Sequence, residues 1–284
     1  MMTVCCIGCG NMGGGVLKGL ARQGGFRLVG HDHSRSKVEA LDAEGRVAWA
    51  ETPLEAARQA DLVILAVKPY QMAAMLDEIR PALDSSKTVL SLAAAFTQEK
   101  LTQGVQGLCP VVRVMPNLPV VVGKGVFALC FDDKVPAQSK EDILIFFSQL
   151  GVCLSGERKD AIRALFQSLG MAVVLPERLF AAFTSLVGCG PAFVCLFMEG
   201  LLNAGITMGL KASESRELVA AMVEGTARLA LESGESFADL RVKVCSPAGT
   251  TICGVNHLER KAVPGHVTDA VLEALKRDRE MAGN

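Results

Sequence analysis

The stretch MTVCCIGCGNMGGGVLKGL, Met2 to Leu20, decides the fold. Thr3 to Ile7 is an uninterrupted apolar run of strand length, and a helical pattern opens near Asn11. Between them Gly8, Gly10 and Gly13 fit G-x-G-x-x-G. A turn of this kind must bend sharply, let a pyrophosphate approach the main chain and seat a helix on a strand; each task excludes a side chain. The N-terminus of the following helix offers unpaired N–H groups and a partial positive charge to phosphates. The motif carries weight because of its context: it follows a strand and precedes a helix. The stretch therefore predicts dinucleotide binding at Gly8, Gly10 and Gly13, the alternative being a glycine-rich strand–helix turn that binds nothing; Cys9, Asn11 and Met12 complete the turn.

The rest of the composition is compatible with that reading. The chain has 284 residues, enough for two domains, and half of them are hydrophobic. A net charge of −1 with scattered signs gives no footprint for nucleic acid or an anionic membrane surface. No run of 18 apolar residues and no basic segment before an apolar stretch occurs, so neither a membrane span nor a secretory signal is expected. The ten cysteines lie mostly inside apolar runs, as at Cys5, Cys6, Cys109, Cys130, Cys153 and Cys195. They read as small buried hydrophobes of a reducing compartment. Cys6-x-x-Cys9 overlaps the glycine turn, which argues against a redox or zinc role. His31, His33, His257 and His266 form no metal-ligand spacing, and no metal is expected.

Further along, strands and helices alternate. After a helix over Asn11 to Gln23, a second strand is expected over Phe26 to Asp32. Its end faces the adenine ribose in dinucleotide folds, where an acid favours a free 2′-hydroxyl and a nearby base favours a 2′-phosphate. Asp32 argues for NAD, while Ser34, Arg35 and Lys37 argue for NADP, so both stay open; Ser34 also reads as the cap of a helix starting at Arg35. Glu55 to Ala60 reads as a short helix. The run from Asp61 is a buried strand that ends at Ala66-Val67-Lys68-Pro69, at the sheet's carboxyl edge. Helix Met72 to Ile79, strand Thr88 to Ala94, a helix opening at Thr97, strand Val111 to Met115 and strand Gly123 to Phe131 follow. Residues 132–176 hold two similar helical phrases, Asp142 to Gly151 and Asp160 to Gly170, then a last strand over Ala172 to Leu175. The alternation predicts an α/β fold: a doubly wound (Rossmann) dinucleotide-binding domain over residues 1–175.

Past Pro176 only helices are expected: Leu179 to Leu186, Ala192 to Met208, Ser213 to Glu232 capped by Ser213 and stopped at Gly234, and Gly265 to Arg279. So apolar an all-α segment, residues 176–284, usually buries its surface in a partner subunit, the alternative being that it packs only on the sheet domain. Two loops carry the candidate chemistry. Pro116-Asn117-Leu118-Pro119 follows a strand. Ser246-Pro247-Ala248-Gly249-Thr250-Thr251 opens a helix, and its small residues can aim successive N–H groups and hydroxyls at a carboxylate without an arginine. Plain N-capping by Ser246 or Thr250 explains the same residues. No lysine occurs between Lys159 and Lys211, and no motif places a His–carboxylate or Cys–His pair. Hydride transfer to a carbonyl normally wants such a proton donor. A substrate already cationic, such as a protonated imine, needs only orientation and a hydroxyl near its nitrogen.

Six motifs, taken together, resemble pyrroline-5-carboxylate reductases: G-C-G-N-M-G (8–13), A-V-K-P (66–69), S-L-A-A-A-F-T (91–97), R-V-M-P-N-L-P (113–119), G-C-G-P-A-F (188–193) and S-P-A-G-T-T-I (246–252). They stand in the family's order and span nearly the whole chain. The resemblance implies a C-terminal dimerisation domain, a homodimer or higher homo-oligomer, a cytoplasmic biosynthetic enzyme, and reduction of a cyclic imine to L-proline by NADPH or NADH. It implies that Gly8 to Gly13 cradle the pyrophosphate and that Ser34, with Arg35 or Lys37, meets the adenosine end. Ala66, Val67, Lys68, Pro69, Leu92, Ala93 and Ala94 would line the cofactor groove. Ser246, Gly249, Thr250 and Thr251 would hold the substrate carboxylate and ring, with Thr251 at the imine nitrogen and Asn117 in the floor. The chain departs from the family pattern at Leu118 (usually Thr), Ala95 and Ala248 (usually Gly), Val187 and Cys189 (usually Ser), His33 (usually Arg) and Pro53 (often Asn nearby). About twenty residues also look inserted around the doubled helix phrase. Two other readings remain open on the sequence: a 3-hydroxyacid dehydrogenase relative, which would want a lysine in its central helix, and a non-catalytic nucleotide-binding regulator.

Overall fold

A computed structural model describes residues 2–41, 45–132, 153–154 and 171–283. Two compact units emerge, Met1–Cys189 together with Leu275–Asn284, and Gly190–Ala274.

The first unit is built on a nine-stranded sheet: β1 Thr3–Ile7, β2 Arg27–His31, β3 Val47–Trp49, β4 Leu62–Leu65, β5 Thr88–Ser91, β6 Val111–Met115, β7 Val126–Phe131, β8 Cys153–Leu154 and β9 Met171–Val174. Their spatial order is β3-β2-β1-β4-β5-β6-β7-β9-β8. All neighbours run parallel except β6 and β7. The chain reverses its winding between β1 and β4, and in open parallel sheets that switch point is where ligands bind.

β1 is buried on both faces, which is why it reads as an unbroken apolar run rather than an alternating one. Val4 and Cys6 pack with Val16, Leu17 and Leu20 of α1 (Asn11–Gln23). Cys5 and Ile7 face the other way, onto Ala56 and Ala57 of α3 (Pro53–Gln59) and Met72, Leu76 and Ile79 of α4 (Met72–Ile79). The short α2 (Arg35–Glu39) precedes β3, and α5 (Gln98–Gly104) precedes β6. Thr52 caps α3 by accepting from Glu55 N at 3.1 Å, and Thr97 caps α5 by accepting from Lys100 N at 3.2 Å.

Several expectations need correction. β3 was not foreseen: three residues are too short to show a period. Ser34 stands at the N-cap position of α2, but its hydroxyl bonds Ser36 Oγ at 2.8 Å and caps nothing. β2 spans Arg27–His31, one residue short of the expected run at each end, and β4 and β5 end sooner than their apolar runs, because the chain leaves the ladder before hydrophobicity falls. β8 lies between the two helical phrases; the phrases themselves, Asp142 to Gly151 and Asp160 to Gly170, lie outside the described residues.

Beyond β9 the described chain is helical, with no further strand among the described residues. A 3₁₀ turn at Glu177–Leu179, a four-residue α6 (Phe180–Phe183) and a π-turn at Thr184–Gly188 replace the single helix expected there. α7 (Gly190–Thr207), α8 (Ala212–Ser233), α9 (Phe237–Val244), α10 (Thr250–Arg260) and α11 (Val263–Ala282) follow. Lys211, not Ser213, occupies the N-cap of α8, and Gly234 ends it as expected. Gly205 of α7 admits Ser215 of α8, where a β-carbon would come 3.0 Å from Ser215 Cβ. The second unit leaves large apolar side chains in solvent, among them Phe197, Met208, Leu231 and Phe237. So broad an apolar surface marks an interaction face. The helical stretch Glu177–Thr207 is also long and apolar enough to cross a membrane by length and composition, a test that subunit-interface helices pass too.

A buried cation ties β6, inside the sheet, to the chain leaving it after β9. Arg113 on β6 pairs with Glu177 at 2.8 Å and lies 4.7 Å above the Phe180 ring. Gln98 bridges both: its N–H donates to Glu177 at 2.7 Å and its Oε1 accepts from Arg113 N at 3.1 Å. Removing the guanidinium strands a carboxylate that is two-thirds covered. Arg113→Ala is therefore expected to lower unfolding free energy by about 2 kcal/mol, toward the low end for a buried pair because Glu177 keeps some solvent. Urea denaturation followed by circular dichroism would show it as a lower midpoint; an unchanged midpoint would refute the assignment.

Candidate functional site

The glycine turn does in space what its spacing demands. Gly8 adopts φ +97°, a backbone conformation open to glycine, and its N–H donates to His31 O at 2.8 Å. A β-carbon on Gly8 would come within 2.8 Å of Ala66 O. One on Gly13 would collide with Gly8 O and lie 2.8 Å from both Ala66 Cβ and Cys6 Sγ. One on Gly10, by contrast, would meet nothing within 4 Å. Gly10 is the N-cap of α1 and supplies no side chain to its orphan N–H groups. The open space above Gly10, facing those N–H groups, fits the pyrophosphate of a dinucleotide.

That space belongs to a cleft of about 440 Å³ at the carboxyl edge of the sheet. Gly8, Gly10, Asp32, His33, Ser34 and Lys37 line one side, and Ala66, Val67, Lys68 and Gln71 the other. The structure thus brings Gly8, Gly10, Ser34, Lys37, Ala66, Val67 and Lys68 to one cavity. Asn11, Met12 and Gly13 form the first turn of α1. Pro69 begins a 3₁₀ turn, Pro69–Gln71, whose entry is fixed by Lys68 N donating to Gln71 Oε1 at 3.2 Å. Leu92, Ala93 and Ala94 follow β5; the first two are buried and none lines the cleft. Arg35 does not line it either: its guanidinium stacks 4.9 Å above Trp49 and pairs with Glu39 at 2.7 Å. Gln71 and Met75 line the cleft without having been singled out; their position just past the Pro69 breaker was the available signal.

Cys9 contributes main chain only. Its sulfur points inward, 3.6 Å from His31 O and 3.7 Å from Cys6 O, while its N–H donates to Asp32 Oδ2 at 3.0 Å. The other Asp32 oxygen accepts from Ser34 N and from Lys37 Nζ, both at 3.1 Å. Burial alone would raise the Asp32 carboxyl; these three donors outweigh it and hold the group below the ordinary carboxylate range. The bond with Cys9 and burial push the Cys6 thiol well up, so Cys6 stays a thiol rather than a thiolate. Among the described residues no group of three or more His, Cys, Asp or Glu side chains could hold a metal ion.

Asn117 is buried, and its amide is engaged at both ends. Oδ1 accepts from Val126 N at 2.8 Å and Nδ2 donates to Val187 O at 3.3 Å. It therefore fastens the start of β7 to the π-turn, the kind of irregularity that recurs at functional sites.

In the second unit, Ser246 to Gly249 form a tight turn closed by Gly249 N donating to Ser246 O at 3.0 Å. Pro247 precedes Ala248, whose φ is +58°. Proline followed by a positive φ is the pattern of a type II turn, where glycine is the usual third residue. A β-carbon on Gly249 would collide with Ser246 Oγ. Gly249 is the N-cap of α10, and neither Ser246 nor Thr250 caps that helix with its side chain. The first N–H groups of α10, at Thr250, Thr251 and Ile252, thus start a helix whose end has no side-chain acceptor.

Comparison with known proteins gives these two halves a common setting. Residues 177–281 match the family model for pyrroline-5-carboxylate reductase dimerisation, and residues 3–95 match that for NADP oxidoreductase coenzyme F420-dependent. The pyrroline-5-carboxylate reductase of Escherichia coli (strain K12) is 30% identical over 97% of this chain and 97% of its own. Pyrroline-5-carboxylate reductase 3 of Xenopus laevis is 30% identical over 99% and 96%. Among solved structures, the pyrroline carboxylate reductase of Plasmodium falciparum with NADP bound superposes with a TM-score of 0.84 at 27% identity, covering 99% of this chain and 98% of that one. Full-length likeness at this level, on a sheet wound around a glycine turn and followed by a matched dimerisation segment, places the chain in the pyrroline-5-carboxylate reductase family.

Proposed function

We propose that this protein reduces L-1-pyrroline-5-carboxylate to L-proline with NADPH or NADH. The observation that carries the proposal is the cradle at Gly8, Gly10 and Gly13, opening into a 440 Å³ cleft, in a chain whose near-full-length relatives bear that activity in their name. The cofactor supplies the hydride; the chain supplies position and charge. Gly8 to Gly13 offer main-chain N–H groups to the pyrophosphate, and Ser34 and Lys37 stand at the adenosine end. Ala66, Val67 and Lys68 wall the groove, with Pro69 opening the turn that follows, while Leu92 to Ala94 stand outside its lining.

The substrate ring is cationic when its imine is protonated and carries one carboxylate. We assign that carboxylate to the turn Ser246–Gly249 and the first N–H groups of α10, and the ring nitrogen to the Thr251 hydroxyl. No ionised side chain is needed to donate a proton at nitrogen, because hydride addition to the carbon of the already protonated imine yields the neutral amine. Asn117 acts on this chemistry as part of the floor, through the turn it holds. The matched dimerisation segment and the apolar face of the second unit support a homodimer. Nine cysteines among the described residues are free thiols, which agrees with a cytoplasmic protein.

Turnover of L-1-pyrroline-5-carboxylate by the purified protein, with NADPH and NADH compared side by side, tests the proposal directly; no oxidation of either nicotinamide would reject it. Thr251→Ala should lower kcat by on the order of tenfold to a hundredfold, with cofactor KM little changed, since it removes one hydrogen bond at the reacting nitrogen. Equal loss in both would displace Thr251 from the imine. Ala248→Gly relieves a left-handed alanine and should stabilise the protein by between about 0.5 and 1 kcal/mol, after glycine's own entropy loss is subtracted. A thermal midpoint that falls instead would contradict the turn described here.

A further inference from the structure

We infer that Asp32 is a positioning residue: its carboxylate bolts the pyrophosphate turn to the end of β2 and does not serve as the acceptor for the adenosine ribose. The inference rests on the dinucleotide-binding reading of the cleft. An acid at this strand end ordinarily takes the ribose 2′-hydroxyl and so selects against a 2′-phosphate. Here the residue lines the cleft but its carboxylate is largely covered, with a side chain only 11% exposed. Three of its roughly four acceptor sites are filled by Cys9 N, Ser34 N and Lys37 Nζ. Rotating it toward a ribose would leave the N–H of Cys9, a residue 4% exposed, without an acceptor.

Cys9 stands between the two glycines that shape the cradle. Two bonds therefore cross from the glycine turn to the end of β2: Gly8 N to His31 O at 2.8 Å and Cys9 N to Asp32 Oδ2 at 3.0 Å. The second involves a charged acceptor and is the stronger kind. Together they set the direction of the Gly10 main chain before any phosphate arrives, and such preorganisation shows up as affinity. Lys37 balances the carboxylate's charge at 3.1 Å, so Asp32 presents little net repulsion to a 2′-phosphate. The pyrophosphate is common to NADH and NADPH, whereas the ribose substituent is not. A brace on the turn must affect both cofactors alike, and a ribose acceptor must affect them in opposite directions.

The test is a direct titration of the full-length protein with NADPH and with NADH, followed by nicotinamide fluorescence, for the wild type, Asp32→Ala and Asp32→Asn. Asp32→Ala should raise both dissociation constants by the same factor, on the order of tenfold. Asp32→Asn should fall between, because its carboxamide oxygen can still accept from one main-chain N–H; it also carries the test if the alanine variant does not fold. NADPH binding that tightens while NADH binding weakens would overturn the inference, because it would put the carboxylate on the ribose. Unchanged affinities with a lowered melting temperature would overturn it as well, since Asp32 would then serve the fold alone. Because the readout is binding, a wild-type protein that reduced no imine would defeat the proposed activity and leave this result standing.

Discussion

The structure depends on a contact that exists only because position 13 has no side chain. α1 approaches the sheet so closely that a β-carbon there would collide with the Gly8 carbonyl and crowd Ala66 and Cys6. Four segments meet at that point: the glycine turn, the first turn of α1, the end of β4 and the last residues of β1. Their convergence puts the N-terminus of α1 over the switch point between β1 and β4, with Gly10 facing open space. The cleft is a consequence of helix–strand proximity, and the small residues around it are the condition of that proximity.

This explains why cysteines crowd the region without any sign of redox chemistry. Cys5, Cys6 and Cys9 are all buried, and they are compact enough to fill the space under a helix pressed this close. Burial pushes the Cys5 thiol up to about 12 and the Cys109 thiol up to about 11. A thiol that does not ionise near neutral pH is neither a good nucleophile nor a metal ligand. Cys6 and Cys9 occupy two buried packing positions, one on each side of Gly8. Cys9 Sγ comes 3.3 Å from where a Gly30 β-carbon would stand, so the packing extends to β2.

What could be read from the sequence follows from how local each signal is. β1 and α1 were legible to the residue because a strand, a glycine turn and a helix reinforce one another within twenty positions. β6 was equally clear, bounded by Pro110 and Pro116. Three-residue β3 left no periodic trace, and the π-turn at Thr184–Gly188 cannot be told from an α-helix by pattern. Side chains near the cleft were harder still. Arg35 and Lys37 have like charge and neighbouring positions, yet one stacks on Trp49 and the other reaches Asp32. Which way each turns is decided by partners distant in sequence, Trp49 and the folded β2 end. Asp32 itself reads as a ribose acceptor from spacing alone; only the tertiary bond to Cys9 N shows that one of its oxygens is already engaged by the glycine turn.

Two alanines carry a further consequence of the same kind. Ala95, in the loop after β5, and Ala248, before α10, both hold φ near +57°. A left-handed alanine costs roughly 1–2 kcal/mol, so each conformation persists only where its surroundings over-determine it. At Ala248 the determinants are visible: Pro247 fixes one dihedral, the Gly249-to-Ser246 bond closes the turn, and Gly249 admits the Ser246 hydroxyl beside it. The turn is therefore held by its chemistry at both flanks and not by the residue at its apex. The alanine at the apex adds backbone strain to a turn whose flanks already fix its shape.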